Sequence, residues 1–340
     1  MRVLLIAGAG TLGGSAYPEL LRLGHEVDVI SLEEGFLSVS PRLRYVTGRA
    51  DLAFLTDFLA ARGRYGAIVD FVHTPDVGEL KRRTDLLLAH TDQFVYLSSY
   101  RTYSDRDRVI TEETPQWLDV TTDAKMLAED DYAIPKAKGE RLLRASGAAN
   151  WTIVRPVISF THYRLDLVTV GAYALLSRSA AGKPIPLPEE VRRCHCGVTW
   201  GGNTGLEIAR LVGNPAAFGE AFTLGFGEDL VWQDVAGYYE ELLGAKFAWV
   251  PAEDYLRIAT SGAYMERQMI YTDRILDRRV DFSKVMQATG LGPRDFLPCR
   301  DAVARELAFL SERPDLVARF DTPFRRELDA RMDGYFGIRT

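Results

Sequence analysis

A short apolar run, Val3-Leu-Leu-Ile-Ala7, leads without a gap into Gly8-Ala-Gly-Thr-Leu-Gly13, and this junction constrains the fold more than any other stretch of the chain. The run has the pattern of a strand buried on both faces of a parallel sheet. An amphipathic segment from Leu12 to about Leu23 follows, Gly24 stops it, and Glu26–Ser31 reads as the next strand. Strand, glycine turn, helix and strand within about thirty residues give the Gly-x-Gly-x-x-Gly spacing its meaning. Gly8 allows a tight turn, Gly10 lets the backbone approach a pyrophosphate, and Gly13 lets helix and strand pack closely. The backbone N–H groups at Thr11 and Leu12 open the helix and face the phosphates. Pro18 falls inside that helix and is expected to kink it.

Alternating units continue downstream. Strands are expected at Arg44–Thr47, Tyr65–Val72, Gln93–Ser98 and Trp151–Pro156, with helices at Leu52–Ala61, Glu79–His90 and about Asp131–Ala145. Such alternation specifies an open, doubly wound parallel sheet of the Rossmann type, an α/β fold. Ligands then lie at the carboxyl ends of the strands, where Val72, His73, Ser98, Ser99, Tyr100 and Pro156 fall. After Pro156 the alternation fades. An aromatic-rich loop and helix over Phe160–Arg178 and a helix over Trp232–Leu243 belong to a mixed, largely helical second lobe. The expected division is 1–160 for dinucleotide binding and 161–340 for substrate, with segments near 191–199 and 221–224 returning to the main sheet.

The acidic balance, a net charge of −6 in 340 residues, offers no basic footprint for nucleic acid or an anionic membrane surface. No run of about 18 apolar residues is present to span a bilayer. The apolar N-terminus resembles the opening of a signal peptide, but its glycines interrupt it at once and a buried strand accounts for it better. Three cysteines point to a reducing cytosol rather than a disulfide framework. A soluble cytoplasmic protein is expected.

Asp131-Tyr-Ala-Ile-Pro-Lys-Ala-Lys-Gly-Glu-Arg-Leu-Leu143 reads as the start of a helix that sets Tyr132 and Lys136 one turn apart on one face. A phenol beside a fixed ammonium ionises more readily, so the pair can pass a proton to or from an alcohol or ketone. Pro135 is tolerated in the first turn, where its missing N–H has no intrahelical partner to lose. At the end of the second strand, where an acidic side chain would bind ribose hydroxyls, stands Ser31, followed by Leu32, Glu33 and Glu34, with no basic residue before Arg42. Two carboxylates without a basic partner favour NAD, with NADP left open.

The order of these features resembles the extended and atypical short-chain dehydrogenase/reductases, the superfamily of NAD-dependent nucleotide-sugar epimerases and dehydratases. The resemblance rests on Gly8–Gly13, Gly24-His-Glu-Val27, Asp51, Ile68–Val72, Tyr96-Leu-Ser-Ser-Tyr-Arg-Thr-Tyr103, Glu112-Glu-Thr-Pro115, Tyr132–Leu143 and Ile153-Val-Arg-Pro156, and covers roughly residues 1–160. It implies that Tyr132 is the catalytic acid/base and that Lys136 lowers its pKa and holds the nicotinamide ribose. Ser99, four residues before Tyr103, would bond the reacting oxygen, Asp51 would contact adenine, and residues after Pro156 would line the nicotinamide pocket. The Asp-Glu pair of the 4,6-dehydratases is here Tyr100-Arg101, which argues against dehydration and leaves Tyr100 and Arg101, like Arg192 and Arg193, as candidates to bind substrate. Val157-Ile-Ser-Phe-Thr161 replaces the family's usual continuation.

Other constellations carry less. Cys194-His195-Cys196 offers metal-ligand types, but on a strand the cysteines and histidine point to opposite sides, and no metal is expected. His73 fills space or meets substrate. Arg192, Arg193, Arg274, Arg278 and Arg279 have the guanidinium fork suited to a substrate diphosphate. Phe160, Tyr163, Trp200 and Trp232 are available to stack on a base or to pack the core. The expected function is an NAD-dependent epimerase of a nucleotide-activated sugar, acting by transient hydride transfer, with a possible homodimer by family resemblance. A net NAD(P)-dependent reductase or dehydrogenase uses the same Tyr, Lys and Ser. A non-catalytic dinucleotide sensor or RNA-binding relative would lose the Tyr/Lys pair or carry a basic face.

Overall fold

The computed structural model describes residues 1–32, 40–130 and 132–338; Glu33, Glu34 and Asp131 lie outside the described residues. Seven parallel strands form the central sheet: β1 (Arg2–Ile6), β2 (Glu26–Ser31), β3 (Leu43–Thr47), β4 (Ala67–Asp70), β5 (Phe94–Leu97), β6 (Trp151–Pro156) and β7 (Glu220–Leu224). Their spatial order is β7-β6-β5-β4-β1-β2-β3, so the chain reverses direction across the sheet between β1 and β4. Ile6 pairs with Ile30 on one side and Asp70 on the other, which opens the switch-point crevice beyond Ile6. Val3, Leu4, Leu5 and Ile6 are fully buried, as the apolar run requires of a central strand.

Helices cover both faces. The main ones here are α1 (Thr11–Arg22), α2 (Leu52–Arg62), α3 (Val77–Ala89), α4 (Ala133–Ala145) and α5 (Gly201–Leu211). One core cluster gathers Leu5, Leu20, Val29 and Phe222 with the second lobe; the other holds Leu4, Ile6, Leu59 and Tyr96. The second lobe contributes further helices at Trp232–Leu243, as expected, and at Cys299–Ser311 and Pro323–Tyr335. Among the described residues, no helix is long and apolar enough to cross a membrane.

Of the two segments expected to rejoin the sheet, only the second does, as β7 against β6. Val198–Trp200 pairs instead with Ile158–Phe160, in a separate two-stranded sheet. The reason is steric: β7 already occupies the partner edge of β6, so the chain beyond Pro156 diverges and takes its own partner. Cys194-His195-Cys196 is not a strand either; it is a bend followed by a single bridge from His195 to Val231. Cys194 Sγ donates to the Ile275 carbonyl at 2.9 Å, and His195 Nδ1 meets Asp277 Oδ1 at 2.5 Å. Among the described residues, no group of three or more His, Cys, Asp or Glu side chains is arranged to hold a metal.

Candidate active site

The glycine turn departs in detail from its sequence reading. The left-handed residue is Ala7 (φ 57°), not Gly8. Gly8 is required for space, since a Cβ there would lie 2.6 Å from the Leu5 Cβ. Gly13 has the helix–strand role expected of it: its Cβ would sit 2.5 Å from the Gly8 backbone. A Cβ on Gly10 would meet nothing within 4 Å. This open space lies at the N-cap of α1, which no side chain caps, so N–H groups of the first turn face the crevice. Pro18 is exposed and α1 runs through it to Arg22.

Two cavities flank this turn. One of about 370 Å³ is lined by Ser31, Asp51, Val72 and His73, among others. The other, about 420 Å³, is lined by Thr11, Leu12, His73, Ser98, Ser99, Tyr100, Arg101, Tyr132 and Pro156 from the first half of the chain, and by Ser159, Arg164, Met265, Met269 and Arg274 from the second. His73 borders both, so the two cavities adjoin at the strand ends. A dinucleotide fits this shape: a pocket for each nucleoside, with the open face of Gly10 and the α1 N-terminus between them. The 370 Å³ pocket also holds Arg49 and Arg83, which the sequence reading of the segment after Ser31 did not foresee. Arg83 is neutralised by a two-pronged pair with buried Asp70 (2.5 and 2.9 Å). Asp51 accepts from the Phe54 N–H at 2.9 Å and so caps α2.

α4 begins at Ala133, two residues later than expected, and Tyr132 is its N-cap residue with non-helical torsions (φ −127°, ψ −69°). Asp130 explains the start. Its Oδ1 accepts from the N–H groups of Tyr132 and Ala133, both at 2.8 Å, and takes over the cap. The Tyr132 ring lies 5.2 Å from His73 and 4.9 Å from the Arg101 guanidinium, centroid to centroid and carbon to centroid respectively. Lys136 is buried, and its Nζ donates to the Leu97 carbonyl at 2.5 Å beneath the Tyr96 ring. Burial pushes the Lys136 ammonium down to about 8, against the opposing pull of Asp70 and Glu140. Among the described residues, no hydrogen bond joins Lys136 to the Tyr132 phenol.

The two serines at the end of β5 separate by role. The Ser98 hydroxyl points into the interior and donates to Glu140 Oε1 at 2.5 Å. The Ser99 hydroxyl accepts from the Arg101 N–H at 3.2 Å, and the residue borders the cleft. Burial, with Asp273 second, pushes the Tyr100 phenol far above its ordinary value, so it stays neutral. Arg192 and Arg193 do not line the groove; Arg192 lies over Trp249 and near Glu189 (3.6 Å). Arg274 does line it, and Arg278 is buried just behind. Phe160 and Trp232 are core residues, while Tyr163 and Trp200 face a separate cavity beside Pro18. Met265 and Met269 had no signal in the sequence, because only tertiary packing brings their helix over the cleft.

A doubly wound parallel sheet with a ligand groove at its switch point thus defines the class. No protein-family model matches the sequence, and no curated protein matches it. Solved structures do match in fold. An epimerase of Methanothermobacter thermautotrophicus superposes with a TM-score of 0.69 at 15% identity, covering 94% of each chain. A UDP-glucuronic acid 4-epimerase of Bacillus cereus, in complex with UDP-glucuronic acid and NAD, gives 0.67 at 14% identity over 94% of this chain and 100% of that one. A dTDP-glucose 4,6-dehydratase of Bacillus anthracis, in complex with NAD, gives 0.69 at 16% over 93% and 98%. The chain has the fold of these epimerases and dehydratases across nearly its whole length, second lobe included.

Proposed function

We propose that this protein is an NAD-dependent enzyme that modifies a nucleotide-activated sugar, with epimerisation as the net reaction. The observation that carries the reading is the pair of cavities that adjoin at His73, with Ser99 and Tyr132 lining one of them and Gly10 open at the α1 N-cap. The similar structures from both Bacillus species, described with NAD bound, support the cofactor assignment. Gly8, Gly10, Thr11, Leu12 and Gly13 would hold the pyrophosphate, Ser31 and Asp51 the adenosine half, and Val72, His73 and Pro156 the nicotinamide side. NAD supplies a hydride acceptor and donor there.

The chain's own residues handle the proton. Tyr132 takes the proton of the sugar hydroxyl as the carbonyl forms and returns it afterwards, while the Ser99 hydroxyl bonds the same oxygen. Lys136, held on the Leu97 carbonyl, supplies positive charge beneath the strand end rather than a direct bond to the phenol. The second lobe closes the groove with Arg164, Met265, Met269 and Arg274, a usual arrangement for a small-molecule site.

The test is recovery of cofactor from purified protein, followed by incubation with nucleotide sugars. Tightly held NAD and a change of sugar configuration with no net NADH formed support epimerisation. Stoichiometric NAD(P)H consumption establishes a reductase instead, and failure to bind either dinucleotide sinks the reading.

A further inference from the structure

Three guanidinium groups share one carboxylate at the wall of the cleft. Asp273 lies within ion-pair distance of Arg274, Arg278 and Arg101, the last at 3.9 Å. Asp273, Arg274 and Arg278 are all at most 4% exposed. The nearby Arg164 is already matched by Asp166 at 2.5 Å. Burial alone would raise the Asp273 carboxyl, but the arginines outweigh it and hold it ionised. Three cations against one anion leave two positive charges without a carboxylate partner among the described residues. Buried charge of this kind is costly unless something pairs with it.

The three arginines are not equivalent. Arg274 donates to the Val168 carbonyl at 2.7 Å, and Arg278 to the carbonyls of Tyr103 and Thr272, both at 2.9 Å. Those bonds fix them in place, although the Arg278 Nε, like that of Arg101, is buried without a partner. The Arg101 guanidinium makes no hydrogen bond to any described residue, and its Nε is buried without a partner. Its side chain is only 11% exposed, so bulk water satisfies little of it. It borders the cleft and stacks on the ring of Tyr132 at 4.9 Å. An unspent fork of donors therefore stands beside the phenol at which the reacting hydroxyl would sit.

We infer that the substrate carries a carboxylate next to the carbinol that meets Tyr132, and that Arg101 binds it. This rests on the reading of the groove as a sugar-oxidising site, and it narrows the substrate class to sugar acids of the uronic type. A carboxylate matches the planar fork, and it can reach Arg101 from the sugar ring itself. The diphosphate of a nucleotide sugar is separated from the reacting carbon by the ring, and a group beside Tyr132 is too near that carbon to serve it.

The test uses the full-length protein loaded with NAD, with UDP-glucuronic acid and UDP-glucose as matched probes. Initial rates are followed by separating the sugar products, and NAD affinity is measured alongside. The expected result is a kcat/KM for the uronate at least about tenfold above that for the neutral sugar. Arg101→Met should raise KM for the uronate about 10- to 100-fold and erase the preference, with Arg101→Lys recovering part of it. Equal rates on the two sugars, or an unchanged uronate KM in Arg101→Met, would overturn the inference. Where neither sugar turns over, dissociation constants on the NAD-loaded protein decide, and no preference for the uronate again overturns it. NAD bound with the neutral sugar preferred removes this inference alone; no NAD binding removes the underlying reading with it.

Discussion

The ammonium of Lys136 is bonded to the carbonyl oxygen of Leu97, 2.5 Å away, at the end of the strand that delivers Ser98 and Ser99. The bond ties α4 to β5 at the level of the cleft. It also buries a charge, with Asp70 and Glu140 as the nearby anions. Lys136 thus braces the strand end while its charge acts on the cleft from below. Arg101 is the cation in contact with the Tyr132 ring.

The burial of Lys136 predicts a pH dependence of stability. Its pKa is lowered from 10.5 to about 8 in the folded protein, so between these values the unfolded chain binds more protons. Stability contributed by this site therefore rises with pH across that window. Below pH 8 the full penalty of the buried ammonium is present; above 10.5 it is gone. Relative to Lys136→Met, the wild-type protein should gain on the order of 3 kcal/mol between those limits. Urea unfolding of both proteins at several pH values checks this, and parallel profiles would show that the lysine is not desolvated as described.

Gly10 and Gly13, neighbours in one turn, should fail in different ways. Gly13→Ala drives a Cβ to 2.5 Å from the Gly8 backbone, which cannot yield as a side chain can. It should cost about 1–3 kcal/mol of stability. Gly10→Ala meets no atom and should cost only about 0.5–1 kcal/mol, because Ala is the poorer N-cap. Its methyl group would instead fill the space assigned to pyrophosphate, weakening NAD binding about tenfold or more. Thermal unfolding and NAD titration of the two variants separate these outcomes; normal NAD affinity in Gly10→Ala would move the dinucleotide elsewhere.

Tyr132→Phe removes the phenol and keeps the ring that lies against His73 and Arg101. Turnover should fall about 10²- to 10⁴-fold with NAD affinity and unfolding midpoint retained. Retention of most of the turnover would return the proton transfer to another group.

Much of this was legible in the chain because the first half is locally consistent. The apolar run before Gly8, the period-two strands and the helix stops place six strands to within a few residues. The residues that line the cleft are legible where they hang on strand ends, as at His73 and Ser99; Tyr132 joins them from the N-cap of α4. Arg101 could be named, but its unspent guanidinium could not, because that depends on Asp273, Arg274 and Arg278 more than 170 residues away in sequence. α4 starts at Ala133 because Asp130 provides the capping oxygen. Val198–Trp200 was misplaced for a topological reason: an apolar strand signal does not say which edge is still free.

Glu140 offers the most demanding test of how the site is supported. Its carboxylate receives Ser98, Gln116 and both prongs of Arg155, all buried. Arg155 in turn donates to the Tyr103 hydroxyl at 2.8 Å, which also bonds Thr223 on β7. One helix residue therefore joins α4, β5, β6 and β7 directly beneath the cleft. Glu140→Leu strands the Arg155 charge and should destabilise the protein by about 3–5 kcal/mol. Pairing it with Arg155→Met removes the stranded charge, so the double variant should lose less than the sum of the two single ones. Chemical unfolding of the four proteins measures this coupling. Additive losses would mean that the two side chains act independently, and that Ser98 is held in place by the sheet rather than by the ion pair.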